Sequence, residues 1–189
     1  MTNQELLNKA SRNYIDLTEY IKALAKKNNK ESKIKDLLID LDLMLQVMLM
    51  YESVSDFNVS NIEISFIKNL VTECDIVDYY NKSNINKITW DSLKSDKIEP
   101  GEYKEFVDRV YRLAMPRIND FIMFLAGEDS ITINNELDII LTYLKNILNL
   151  YLDIDTHVYG DICLYVVSEI FEKKYRECKA IFSRIDKII

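Results

Sequence analysis

The sequence predicts an all-α fold, a bundle of six or seven helices, and three observations carry that prediction. Apolar residues recur at helical spacing through most of the chain. Gly 3 and Pro 2 in 189 residues leave too few punctuators for the many tight turns of an all-β domain. A hydrophobic fraction of 48% against 29% charge is globular, and a chain of this length can bury about 70% of its unfolded surface. One domain over residues 1–189 is expected.

The elements follow in order. Between Gln4 and Lys27, Leu6, Leu7, Ala10, Tyr14, Leu17, Ile21 and Leu24 keep a helical spacing, which the polar run "KKNNKESK" ends. The next run, Ile34, Leu37, Leu38, Leu41, Leu45, Met48 and Leu49, is apolar around much of its circumference, which predicts a central helix enclosed by others. "ESVSDFNVSN" is expected to interrupt it. Ile62, Phe66, Ile67, Leu70, Val71, Cys74 and Val77 then predict one further helix running to about Tyr80.

Residues 81–99 keep no period and read as a long connection with one short helical turn around Trp90. The single tryptophan either anchors this segment to the bundle or offers a partner hot spot, and the anchor is the favoured reading. Pro100 suits the first turn of a helix carrying Tyr103, Phe106, Val107, Val110, Leu113 and Ala114. A kink or break is expected at Pro116, after which Ile118, Phe121, Ile122 and Leu125 resume the stripe. Beyond "AGEDSITINN", Leu137, Ile140, Leu141, Leu144, Ile147, Leu148 and Tyr151 mark another helix. A last one begins near Thr156 and continues through Ile170 toward Ile185, with Gly160 unfavourable in its first turns.

Charge and cysteine content narrow the function classes. Acidic residues outnumber basic ones 31 to 24, and a net charge of −7 disfavours nucleic acid and anionic membranes. The start has no signal pattern, and the apolar run "LMLQVMLMY" falls far short of the ~20 residues of a spanning helix. Cys74, Cys163 and Cys178 are odd in number and form no C-x-x-C, which suits a reducing compartment and core-filling thiols. A soluble, cytoplasmic protein with no membrane insertion is expected.

Two loops share a pattern. Asp56 lies seven residues before Glu63, Asp129 lies seven before Glu136, and in each case one apolar helix enters the loop and another leaves it. The copies are 73 residues apart, a separation that suits two halves of a pseudo-symmetric bundle, about 34–80 and 104–152. "MYESVSDFNVSNIEISFI" and "FLAGEDSITINNELDII" resemble the TerB-like family, small all-helical proteins associated with tellurite resistance and related stress systems. That family's pattern is an apolar helix, an Asp-Gly step, an apolar residue and a glutamate opening the next helix. The resemblance implies a non-enzymatic binding or scaffold protein, with a divalent cation or a protein partner held by acidic loops at Asp56, Glu63, Asp129 and Glu136. The sequence departs from the pattern where the glycine would stand, at Phe57 and Ser130, where a left-handed turn would be strained.

Each candidate has a plainer alternative. Ser60-Asn-Ile-Glu63 is also a capping box, which accounts for Glu63 without an ion. An EF-hand starting at Asp56 fails at Asn61 and Ile67, where Gly and Glu are required. Asp153, His157 and Asp161 would share a helical face able to ligate a metal, but Gly160 favours a solvated helix start. The acids Glu102, Glu105 and Asp108, with Glu169 and Glu172, would suit a magnesium-dependent all-α nucleotide pyrophosphatase, yet neighbouring Lys104, Arg109, Lys173 and Lys174 make them read as ion-paired exposed faces.

Overall fold

A computed structural model of the chain describes residues 1–56, 59–127, 133–155 and 168–188. Among them are seven α-helices: α1 (Asn3–Lys27), α2 (Ile34–Asp56), α3 (Asn61–Leu70), α4 (Ile76–Ser83), α5 (Pro100–Gly127), α6 (Ile133–Leu152) and α7 (Lys173–Ile188). No strand occurs among the described residues, and the fold is the expected all-α bundle. Short 3₁₀ turns precede α2, sit at Asp91–Leu93 and follow α6, and a π-helical turn at Ser168–Glu172 leads into α7.

The core is built around α2. Every residue from Asp40 to Met50 is buried, so this helix exposes no face there and meets α1, α3, α4, α5 and α6. Full burial of each leucine or methionine contributes about 1.5–3 kcal/mol, which is why a run apolar on all sides settles at the centre. α5 lies antiparallel to it. The Tyr103 hydroxyl donates to the Met50 carbonyl at 3.3 Å, the Tyr51 hydroxyl to Asp108 at 2.7 Å, and Arg117 reaches back to Asp40. α1 packs on α6, and α7 packs on α5, where Lys174 donates to Asn119 at 2.8 Å and lies 5.8 Å over the Tyr111 ring.

Helix ends are set by local chemistry. Thr2 and Glu5 form a capping box at α1, a T-x-x-E signal legible in the first five residues. Asn29, with φ 57°, takes the left-handed conformation that ends the α1 turn, a role asparagine tolerates. Pro116 lies inside α5 without breaking it, and both it and Arg112, whose carbonyl loses its N–H partner, are exposed residues on the solvent side of the helix.

Two expectations are corrected. α2 does not stop at "ESVSDFNVSN" but continues to Asp56, with Glu52 and Ser53 buried and Ser53 hydrogen-bonded to the Tyr151 hydroxyl. The helix expected from Ile62 to Tyr80 is two helices, broken at 71–75. The break is imposed by two buried polar side chains of α2. Asp42 accepts from the Glu73 and Cys74 amides at 2.7 and 3.1 Å and from the Tyr14 hydroxyl at 2.6 Å. Gln46 donates to the Cys74 carbonyl at 2.7 Å and accepts from the Ile76 amide at 3.0 Å. Asp75 then caps α4 by accepting from the Val77 and Asp78 amides.

The 84–99 connection is docked by the same cap. Trp90 is buried and its indole N–H donates to Asp75 at 2.9 Å, so the tryptophan is an anchor. The Ser95 amide donates to the Val59 carbonyl, tying the connection to the residue before the α3 cap.

Asp42→Ala takes the acceptor from two part-buried amides, each costing at most the roughly 1–3 kcal/mol of a buried donor left unsatisfied, so a loss of about 2–3 kcal/mol is expected in urea unfolding. Tyr14→Phe, which leaves those amides paired, is expected to cost about 1 kcal/mol. Equal losses would move the weight of the clamp from the carboxylate to the phenol.

Candidate functional site

The four acids of the repeated loops are placed differently from one another. Asp56 is the last residue of α2, and Asp129 lies outside the described residues. Glu63 is fully buried in the first turn of α3, where the capping box forms as its sequence predicts. Its Oε2 accepts from the Ser60 amide at 2.7 Å, and Ser60 Oγ accepts from the Glu63 amide at 3.3 Å. Glu136 occupies the first turn of α6 and is also buried, close enough to Tyr20 of α1 and Tyr175 of α7 for its charge to act on both. Burial first, and then Glu136, push the Tyr175 phenol up to about 12.

The other sequence candidates are accounted for locally. Asp108 accepts from Tyr51 and pairs with Lys104 at 2.8 Å, and Glu172 pairs with Arg176 at 2.9 Å. Glu102, Glu105 and Glu169 are exposed. Asp153 stands at the edge of a groove between α1 and α6, beside Lys9 and Arg12, while His157 and Asp161 lie outside the described residues. Among the described residues no three His, Cys, Asp or Glu side chains gather closely enough to hold a metal ion. Nor is any helix among them long and apolar enough to cross a membrane.

A further concavity among the described residues involves none of the sequence candidates. A groove of about 540 Å³ runs between the start of α2 and the second half of α5. Leu37, Met123 and Phe124 line it, with Met123 47% exposed. Arg117 crosses it, donating from Nε to Asp40 at 2.8 Å and from Nη2 to Asp36 at 3.2 Å. The Asp40 side chain is 7% exposed and that of Asp36 70%, so the Asp40 contact is the sheltered one and Asp36 is heavily screened by water. Lys30, Lys33 and Asp120 also line the groove and form no ion pair among the described residues. It therefore presents charges of both signs beside apolar side chains.

Burial sets the electrostatics of this end of α2. It pushes the Asp40 carboxyl up to about 6, with Arg117 opposing the rise and Asp120 and Asp36 adding to it. Burial likewise pushes Asp42 up to about 6, against the hydrogen bonds from Tyr14, Glu73 and Cys74. The signal for both was "LIDLDLML", two acids inside an otherwise apolar central helix, which must find partners if buried.

Searches of family models, curated proteins and solved structures found no match to this chain.

Asp40 holds its proton more tightly folded than unfolded. The stability this contributes is fully present below the ordinary carboxyl range and disappears as pH rises through about 6. The melting temperature of wild type relative to Asp40→Asn is therefore expected to fall by a few degrees between about pH 5 and about pH 7. A wild-type advantage that instead grows with pH would mean that the Arg117 pair outweighs desolvation. At α3, Glu63→Ala is expected to lower stability by about 1 kcal/mol through loss of the cap. Glu63→Gln should cost less, because a glutamine oxygen can still take the Ser60 amide, and Glu136→Gln should leave the thermal midpoint nearly unchanged.

Proposed function

We propose that this chain is a non-enzymatic helical binding protein of TerB-like type that holds a segment of a protein partner in the groove between α2 and α5. The observation that carries the reading is the groove's lining. Leu37, Met123 and Phe124 would take an apolar side chain, Lys30 and Lys33 a carboxylate, and Asp120 a cation. That pattern suits a polypeptide segment whose apolar anchor is flanked by opposite charges. The placement of the buried polar groups supports a binding role over a catalytic one. Asp42 and Gln46 face the backbone at 73–76, and Glu63 faces Ser60, so their hydrogen bonds build turns.

A cation-dependent form of the same adaptor draws support from the matching placement of Glu63 and Glu136, both buried carboxylates in the first turn of the helix that follows a long one. One set of measurements separates the forms. Affinity purification with wild type, Met123→Asp and Lys30→Glu/Lys33→Glu is expected to lose the same partner with both groove variants. A partner retained by both would remove the groove from the function. Thermal shift with calcium, magnesium, manganese and zinc reads the cation arm: saturation at about 100 times the dissociation constant adds about 2.7 kcal/mol, and Glu136→Gln should abolish it. No shift with any of the four would leave the adaptor independent of metal.

A further inference from the structure

The connection between α4 and α5 ends in a tip whose construction points to a second contact, away from the groove. Ile85 is 99% exposed, whereas the other exposed isoleucines among the described residues, Ile15, Ile62 and Ile139, are 53%, 42% and 39% exposed. A single exposed apolar residue is ordinary in itself. Here it stands on a backbone clamped from both sides. Asn81 closes the tip at its base, accepting from the Ile88 amide and donating to the Ile88 carbonyl, each at 2.9 Å. Asn84 donates to the Tyr80 carbonyl at 2.8 Å, and Ile88 packs against the core. Between these clamps only Ile85, Asn86 and Lys87 stand free, and all three are exposed. Ordering a loop on binding costs conformational entropy, and this one is already held.

The charges beside the tip indicate the partner. Lys82 and Lys87 are exposed and form no ion pair among the described residues, whereas Lys94, further along, is tied to Asp91. A chain of net charge −7 thus presents an isoleucine between two free lysines. We infer that this tip is a docking knob for a protein partner with an apolar socket rimmed by carboxylates. A lipid surface is the poorer occupant, because one isoleucine inserts little apolar area and the net charge repels anionic lipid. The knob lies on the connection between α4 and α5, and none of its residues lines the groove between the start of α2 and the second half of α5. Neither contact requires the other.

The test uses the full chain in the cells that make it, with a photo-crosslinking amino acid at Asn86 and a control probe at Ile15 on α1. A protein captured at 86 and not at 15 is purified and titrated against wild type, Ile85→Ser and Lys82→Glu/Lys87→Glu. Ile85→Ser is expected to bind about 10- to 100-fold more weakly with an unchanged melting temperature. The double charge reversal should weaken binding, and the remaining affinity should lose most of its salt dependence. The inference is overturned if the probe at 86 captures nothing beyond the control, or if Ile85→Ser binds as wild type. It is also overturned if vesicles containing phosphatidylserine bind wild type and Ile85→Ser abolishes that binding, which would assign the tip to lipid.

Discussion

The fold depends on a pair of polar side chains placed where only apolar ones are expected. Asp42 and Gln46 stand one turn apart on the most enclosed helix, and between them they accept from three main-chain amides of 73–76 and donate to the Cys74 carbonyl. A buried carboxylate with no partner would be a large liability, and one that takes two amides and a phenol becomes a template for the backbone it binds. The consequences pass outward in sequence. The clamp bends the chain at 71–75, the bend sets Asp75 as the cap of α4, and the free oxygen of Asp75 receives the Trp90 indole. The long connection to α5 is thereby fixed by a group in the middle of the protein.

The same logic separates what the sequence discloses from what it hides. The enclosed character of α2 is plain because its apolar residues cover all sides, and the Ser60–Glu63 box is plain because both partners lie within one turn. The break at 71–75 is hidden: Val71, Cys74 and Val77 keep a helical spacing, and the group that overrides it lies 31 residues away. Glu52 and Ser53 read as a loop because they are polar, yet Ser53 finds its partner in Tyr151 on α6. The groove was out of reach for a related reason. Its central contact joins Asp40 to Arg117 across 77 positions, and only the two acids within "LIDLDLML" hinted that something charged must come to meet them.

α2 and α5 meet differently at their two ends. Toward the end where α2 begins, the helices part into a groove in which Arg117 bridges two aspartates. Toward the other, Tyr51, Asp108 and Tyr111 lock them together, and Val59, just before the α3 cap, holds the connection through Ser95. One end is open with mixed charge, and the other is closed.

The Trp90 anchor makes the protein its own optical gauge. The chain has 12 tyrosines but a single tryptophan, so ultraviolet energy absorbed across the bundle drains toward one indole. That indole is buried with its N–H on Asp75, and its emission colour reports whether the 84–99 connection is seated, whatever the helices are doing. Ellipticity counts the helices. A red shift that precedes its loss would mark a state in which the bundle persists while the connection, with the tip it carries, has let go.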